Sequence, residues 1–173
     1  MNLFIGCSSS LDIDDKYLNI AYDVASLATK YSNTLVFGAY SKSMMGECYN
    51  VFKDKNIIAV SLEYYKEDYP NMPGLNIHTV TNNFDRLKFI YDNSDVLLIL
   101  PGGTGTYSEL FGIVEELKTN KKNKKLILFN YEGFYDKLID FLKININKSF
   151  ILDSDMENIN IVNTIEELEE CLK

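Results

Sequence analysis

Nine consecutive residues, Pro101-Gly102-Gly103-Thr104-Gly105-Thr106-Tyr107-Ser108-Glu109, carry the strongest chemical signal in the chain. They stand between an apolar run, Asp95-Val96-Leu97-Leu98-Ile99-Leu100, and an amphipathic one. Strand, glycine-rich turn and helix together aim free backbone N–H groups and a positive helix end at an anion, most often a phosphate. Gly102, Gly103 and Gly105 clear side chains from the ligand's path and permit positive φ. Thr104 and Thr106 each offer a hydroxyl, and one of them can cap the helix. Glu109 follows within the helix's first turns. Either it closes a capping box with Thr106, or it faces the anion as an acid–base group or a stabiliser of positive charge at a sugar carbon.

Arg86 is the second candidate. Sixteen of the seventeen basic residues are lysine, so the one arginine marks a place where a plain positive charge does not suffice. Its planar fork of donors suits bidentate binding of a phosphate, a carboxylate or a ribose diol. A structural pairing with Asp85 or Asp92 is the alternative. Ser8, Ser9 and Ser10 follow the first apolar run and offer hydroxyls to a phosphate or ribose, Ser8 first among them, although serine-rich loops also arise for turn chemistry alone. His78 is the single histidine, which leaves a metal cluster or a Ser-His-Asp triad little to build on. No metal and no cofactor are expected. The dinucleotide fingerprint is absent, because Ser108 stands where its third glycine belongs and Gly6-Cys7-Ser8-Ser9-Ser10 has no second glycine. A Walker A loop is absent too.

These residues must be positioned by short apolar runs that alternate with helical patterns. Strands are expected at about 2–7, 34–37, 56–61, 76–80, 94–100 and 125–130. Helices are expected at about 14–31, 43–54, 82–93, 106–119, 134–147 and 164–172. The first helix should bury a stripe of Leu18, Tyr22, Ala25 and Ala28, and the fourth one of Tyr107, Leu110, Phe111, Val114 and Leu117. The alternation predicts an α/β class, a Rossmann-like three-layer fold with a parallel sheet flanked by helices, in one domain over residues 1–173. Ligands of such sheets bind beyond the carboxyl ends of the strands, where the Pro101–Thr106 turn falls. Residues 62–75 form the longest apparent loop, a lid, a partner surface or a plain excursion. Lys121 to Lys125 reads as a solvated basic cap after a helix.

The formal net charge of −8 argues against nucleic-acid binding, which rests on basic surface. Three dispersed cysteines fit a reducing compartment better than a disulfide framework. No run is long enough for a signal h-region or a membrane span, so no membrane contact and a cytoplasmic address are expected.

Four segments resemble the LONELY GUY (LOG) family, whose members were long labelled possible lysine decarboxylases. Gly6-Cys7-Ser8-Ser9-Ser10 is similar to its first-strand segment. Phe37-Gly38-Ala39-Tyr40-Ser41-Lys42-Ser43-Met44-Met45-Gly46 aligns with its Tyr-Gly-Gly-Gly…Gly-Leu-Met-Gly segment. Asn83-Phe84-Asp85-Arg86-Leu87 falls on a segment that usually reads Met-x-x-Arg-Lys. Pro101 to Glu109 fits the PGGxGTxxE signature throughout. The resemblance covers residues 2–130 and implies a Rossmann-like protein, commonly a homodimer, that hydrolyses nucleoside 5′-monophosphates such as AMP to free base and ribose 5-phosphate. It implies that Arg86 and Glu109 are the catalytic pair and that the Gly102–Thr106 turn holds the phosphate. The chain departs at Ala39, Tyr40 and Ser43, where the family has glycine, and at Leu87, which takes a positive charge from the expected pocket. Ala39, Tyr40 and Leu87 motivate an alternative in the same fold, a nucleotide- or cofactor-binding sensor that keeps the pocket without the hydrolysis. A carrier of a phosphorylated pterin-type cofactor, known among relatives of this fold, is a third reading. Decarboxylation through pyridoxal phosphate would need a Schiff-base lysine, and no lysine here is singled out for it.

Overall fold

The computed structural model describes residues 1–68, 72, 74–119 and 124–173. Its strands are β1 (Asn2–Gly6), β2 (Thr34–Phe37), β3 (Asn56–Leu62), β4 (Ile77–Val80), β5 (Val96–Ile99), β6 (Lys125–Phe129) and β7 (Ile159–Val162). They form one parallel sheet in the order β4-β3-β2-β1-β5-β6-β7. The helices are α1 (Asp15–Ala28), α2 (Ser43–Phe52), α3 (Asn83–Asn93), α4 (Thr104–Thr119), α5 (Asp136–Asn147), α6 (Asp153–Met156) and α7 (Ile165–Leu172).

Alternation along each strand divides the apolar side chains between two cores. Leu3, Ile5, Leu35 and Phe37 pack with α1, α2 and α7, whereas Phe4, Val36, Leu97 and Ile99 pack with α3 and α4. Strands covered on both faces have no polar side to show, which is why β1, β2 and β5 read as unbroken apolar runs. Each fully buried large apolar side chain contributes about 1.5–3 kcal/mol, so these two layers are the main support of the fold. The α/β, three-layer architecture is the one the alternation predicted.

Two stripes are rotated from their expected faces. In α1 the buried residues are Ile20, Ala21, Val24, Ala25, Leu27 and Ala28, and Tyr22 is exposed. In α4 Leu110, Val114 and Leu117 face inward with Ile113, while Phe111 turns out. The sheet selects the face with the most complete 3–4 spacing, and one aromatic in each helix lies a step off it. β7 and α6 were not expected. β7 is a four-residue edge strand with Asn160 and Ile161 exposed, so no continuous apolar run marks it.

The topology creates the crevice that matters. From β1 the chain works outward to β4, and from β5 it works the opposite way to β7, so the loops after β1 and β5 separate at a switch point. Ser8 N–H donates to Pro101 O at 3.2 Å and ties the base of that gap. Within the long loop, Glu63–Asp68 forms a 3-10 helix with Tyr64 and Tyr65 exposed; residues 69–71 and 73 lie outside the described residues. Residues 121–123 of the basic run do too. Lys124 donates to the carbonyls of Tyr91 and Ser94, so it caps the end of α3 rather than α4. No helix of the described residues is long and apolar enough to cross a membrane.

Candidate functional site

α3 begins where the Asn82 side chain accepts the Asp85 N–H at 2.9 Å. Arg86 therefore lies in the first turn of α3, with its own N–H bonded to Asn82 O at 3.2 Å. Its guanidinium reaches across to α4, where Nη1 meets Glu109 Oε1 at 2.8 Å. Neither Asp85 nor Asp92 is its partner in this ion pair: Asp85 bonds Asn82 and Asp92 bonds Lys88.

Two glycines make room for the pair. A Cβ on Gly38 at the end of β2 would overlap Arg86 Nη2, and one on Gly6 at the end of β1 would stand 2.9 Å from Glu109 Oε2. Both charged side chains are largely buried, with 19% of the Arg86 side chain and 10% of the Glu109 side chain exposed. Burial pushes the Glu109 carboxyl above its ordinary range, and the charge and hydrogen bond of Arg86 oppose that shift without cancelling it.

The glycine turn differs from expectation in three details. α4 starts at Thr104, not Thr106, so Glu109 is its sixth residue and the capping box between Thr106 and Glu109 does not form. Among the described residues the glycines with positive φ are Gly74 and Gly133, so the turn does not use that freedom. Gly102 is filled from beneath, since its Cβ position lies 2.7 Å from Thr106 Cβ, and Thr106 is buried. Gly103 and Gly105 instead face open space, with nothing within 4 Å of their Cβ positions. With Thr104 exposed between them, they present the bare backbone of a helix start to the cleft.

The cleft has a volume of about 530 Å³ and is bounded by the glycine turn, the Ser8–Ser10 loop, the segment after β2 and the end of β3. Ser8, Gly103, Thr104, Gly105, Thr106, Arg86 and Glu109 all line it, whereas Gly102 faces away. Tyr40 and Tyr65 enter it as aromatic walls. Ala39 and Ser43 keep the left-handed backbone, each at φ 57°, that glycine would adopt without strain. Ser43 offsets part of that cost by donating from Oγ to Ser10 O at 2.5 Å. Leu87 does not concern the pocket. It packs against Gly112 of α4 and is not among the residues that line the cleft.

Some contributors carry no local sequence signal. The Tyr135 hydroxyl donates to Leu100 O at 2.7 Å and fixes the residue before the turn from below. Asn130 in turn holds Tyr135, accepting its N–H at 2.7 Å and donating to Asp136 and Asn163. Cys7 reaches the cleft, but its hydrogen bond with Cys48, its burial and the nearby Glu109 charge raise its pKa, so it stays a thiol and not a nucleophile. His78 stacks on Phe89 at 4.3 Å, outside the cleft residues. Among the described residues no three His, Cys, Asp or Glu side chains gather as a metal site.

Known proteins resemble the chain over most of its length. A probable cytokinin riboside 5′-monophosphate phosphoribohydrolase of Arabidopsis thaliana is 27% identical over 171 residues, covering 96% of this chain and 85% of that protein. A cytokinin riboside 5′-monophosphate phosphoribohydrolase of Oryza sativa subsp. japonica is 24% identical over 165 residues, covering 94% of the chain and 68% of that protein. In fold, the chain is similar to the molybdenum cofactor carrier protein of Chlamydomonas reinhardtii, with TM-score 0.65, 13% identity and coverage of 99% and 94%. It is also similar to the molybdenum cofactor binding protein of Rippkaea orientalis, with TM-score 0.62, 17% identity and coverage of 99% and 93%. The family described as "Possible lysine decarboxylase" matches residues 36–172, and the chain belongs to that family, the LOG family.

Proposed function

We propose that this protein hydrolyses the N-glycosidic bond of a nucleoside 5′-monophosphate, a purine nucleotide such as AMP, to free base and ribose 5-phosphate. The observation that carries this reading is the buried Arg86–Glu109 pair, 2.8 Å apart, beside an open glycine turn at a helix start. The 5′-phosphate seats on the backbone N–H groups of Gly103 to Thr106, and its binding energy holds C1′ near Glu109. As the C1′–N bond breaks, its electron pair leaves with the base and positive charge develops on the ribose. The Glu109 carboxylate stabilises that charge and orients the water whose oxygen bonds to C1′; the water's proton passes to Glu109 or to the departing base. Arg86 favours the ionised form of Glu109 against the effect of burial, holds it in place and offers its remaining donors to the ribose or the base.

The phosphoribohydrolases among the relatives support this chemistry, and their names supply the substrate class. The decarboxylase description fits the cleft poorly, because none of its described lining residues is a lysine. The homodimer and the cytoplasmic address belong to this reading as expectations of the resemblance and of the cysteine content. Chromatography of reactions with a panel of nucleoside 5′-monophosphates tests it. Base release is expected for at least one, falling about 100-fold or more in Glu109→Gln; wild-type turnover in that variant would refute the mechanism.

A second reading is favoured by Tyr40, which narrows the cleft where relatives of this family have glycine. It is a carrier or sensor that binds a phosphorylated ligand without cleaving it, as the names of the molybdenum cofactor proteins suggest. Tight binding without base release from any substrate would favour it.

A further inference from the structure

The glycine turn has two sides, and the second is also hollow. A cavity of about 250 Å³ opens behind it, with Tyr17, Met44 and Phe134 on its walls. Tyr17 comes from the start of α1, Met44 from the start of α2, and Phe134 from the segment before α5. The main cleft draws on α3 and α4 and on the start of α2, so the two spaces adjoin at the gap between the loops after β1 and β5. They share a wall, because Ser8, Ser10 and Gly103 line both.

The hollow is built rather than incidental. The Tyr17 and Phe134 rings meet edge to face with centroids 5.9 Å apart, and Tyr17 also meets Tyr131 at 6.2 Å. Lys16 Nζ pairs with Glu132 at 2.6 Å, which fastens the segment bearing Phe134 to the start of α1. Phe134 remains 38% exposed and lines the cavity. Gly103 has nothing within 4 Å of its Cβ position, so its own place in the shared wall is bare backbone. A phosphate seated at Gly103 stands on the boundary between the two spaces.

We infer that the crevice accepts nucleotides whose 5′-phosphate carries a second, ring-bearing substituent, the phosphate lying at Gly103 and the ring on Tyr17 and Phe134. This rests on the nucleotide reading of the main cleft. The ligand class is a phosphodiester or pyrophosphate with a flat ring at each end. Edge-to-face and stacked aromatic contacts supply the recognition, and Gly103, which lines both spaces, supplies the junction where the phosphate sits.

Calorimetric titration of the Glu109→Gln protein, in which ligand is consumed about 100-fold more slowly, tests the inference with three probes: AMP, its 5′-phosphate methyl ester and its 5′-phosphate phenyl ester. The two esters carry equal charge, so their comparison isolates the ring. The phenyl ester is expected to bind at least fivefold tighter than the methyl ester. Adding Phe134→Ala should remove that advantage while leaving AMP affinity within twofold; Tyr17→Ala provides an independent second variant. Equal affinity for the two esters, or a phenyl advantage that survives both variants, overturns the inference while AMP binding keeps the nucleotide reading intact. Failure of all three probes to bind removes that reading and the inference with it.

Discussion

Glu109 sits between opposing effects, and the balance sets its pH behaviour. Burial disfavours its charge, Arg86 favours it, and burial prevails, so the native carboxyl holds its proton to higher pH than an ordinary glutamate. If the ionised form is the catalytic one, the acidic limb of kcat/KM lies above the usual glutamate value of 4.5 and is absent from the residual activity of Glu109→Gln. The sign for stability follows from the same shift. Between the unfolded and the folded pKa the native state binds more protons than the unfolded chain, so stability falls as pH rises through that window. Urea unfolding of the wild type across this range should show that decline, and Glu109→Gln should flatten it. An acidic limb at or below the ordinary value would contradict the burial of a working carboxylate.

At the scale of elements, the pair exists because strand ends without side chains let two helix starts approach each other. Gly38 is the sharpest case. An added methyl would overlap Arg86 Nη2, and Met45 Cε would stand 2.9 Å from it. Gly38→Ala should therefore displace the guanidinium and lower kcat/KM by more than tenfold, with circular dichroism showing the same helix and strand content. Wild-type activity in that variant would mean that the position of Arg86 is immaterial. This example also marks what the sequence makes legible. The glycine turn, the strand–helix alternation and the separate interest of Arg86 and Glu109 are local patterns, readable from spacing and residue type. Their pairing is not local, since it needs β1, β2, α3 and α4 brought together by the sheet order. The departure at Leu87 likewise looked electrostatic in the sequence, yet its meaning depends on a rotamer that packs it on Gly112. Tyr135 could not be found at all from spacing, because its one bond to the turn spans from α5's approach to the end of β5.

For the whole molecule, the crevice at the switch point links ligand binding to global stability. The sheet grows in opposite directions from β1 and β5, and the loops after them carry Ser8 and Gly103 on the two banks of the gap. A nucleotide that bridges these banks binds the native state and not the unfolded chain, since the seat is assembled only by the fold. At one hundred times its Kd such a ligand stabilises by about 2.7 kcal/mol, which for a chain of this length raises Tm by about 5–10 °C. The net charge of −8 works against an anion approaching from afar, so the shift must come from the local backbone donors and Arg86. Thermal unfolding of Glu109→Gln with increasing AMP should show this dose-dependent rise. Gly103→Val should leave the unliganded Tm nearly unchanged, because its new side chain points into open space, yet it should abolish the rise by filling the phosphate seat. A Gly103→Val protein that keeps the full shift would place the phosphate elsewhere and detach the glycine turn from function.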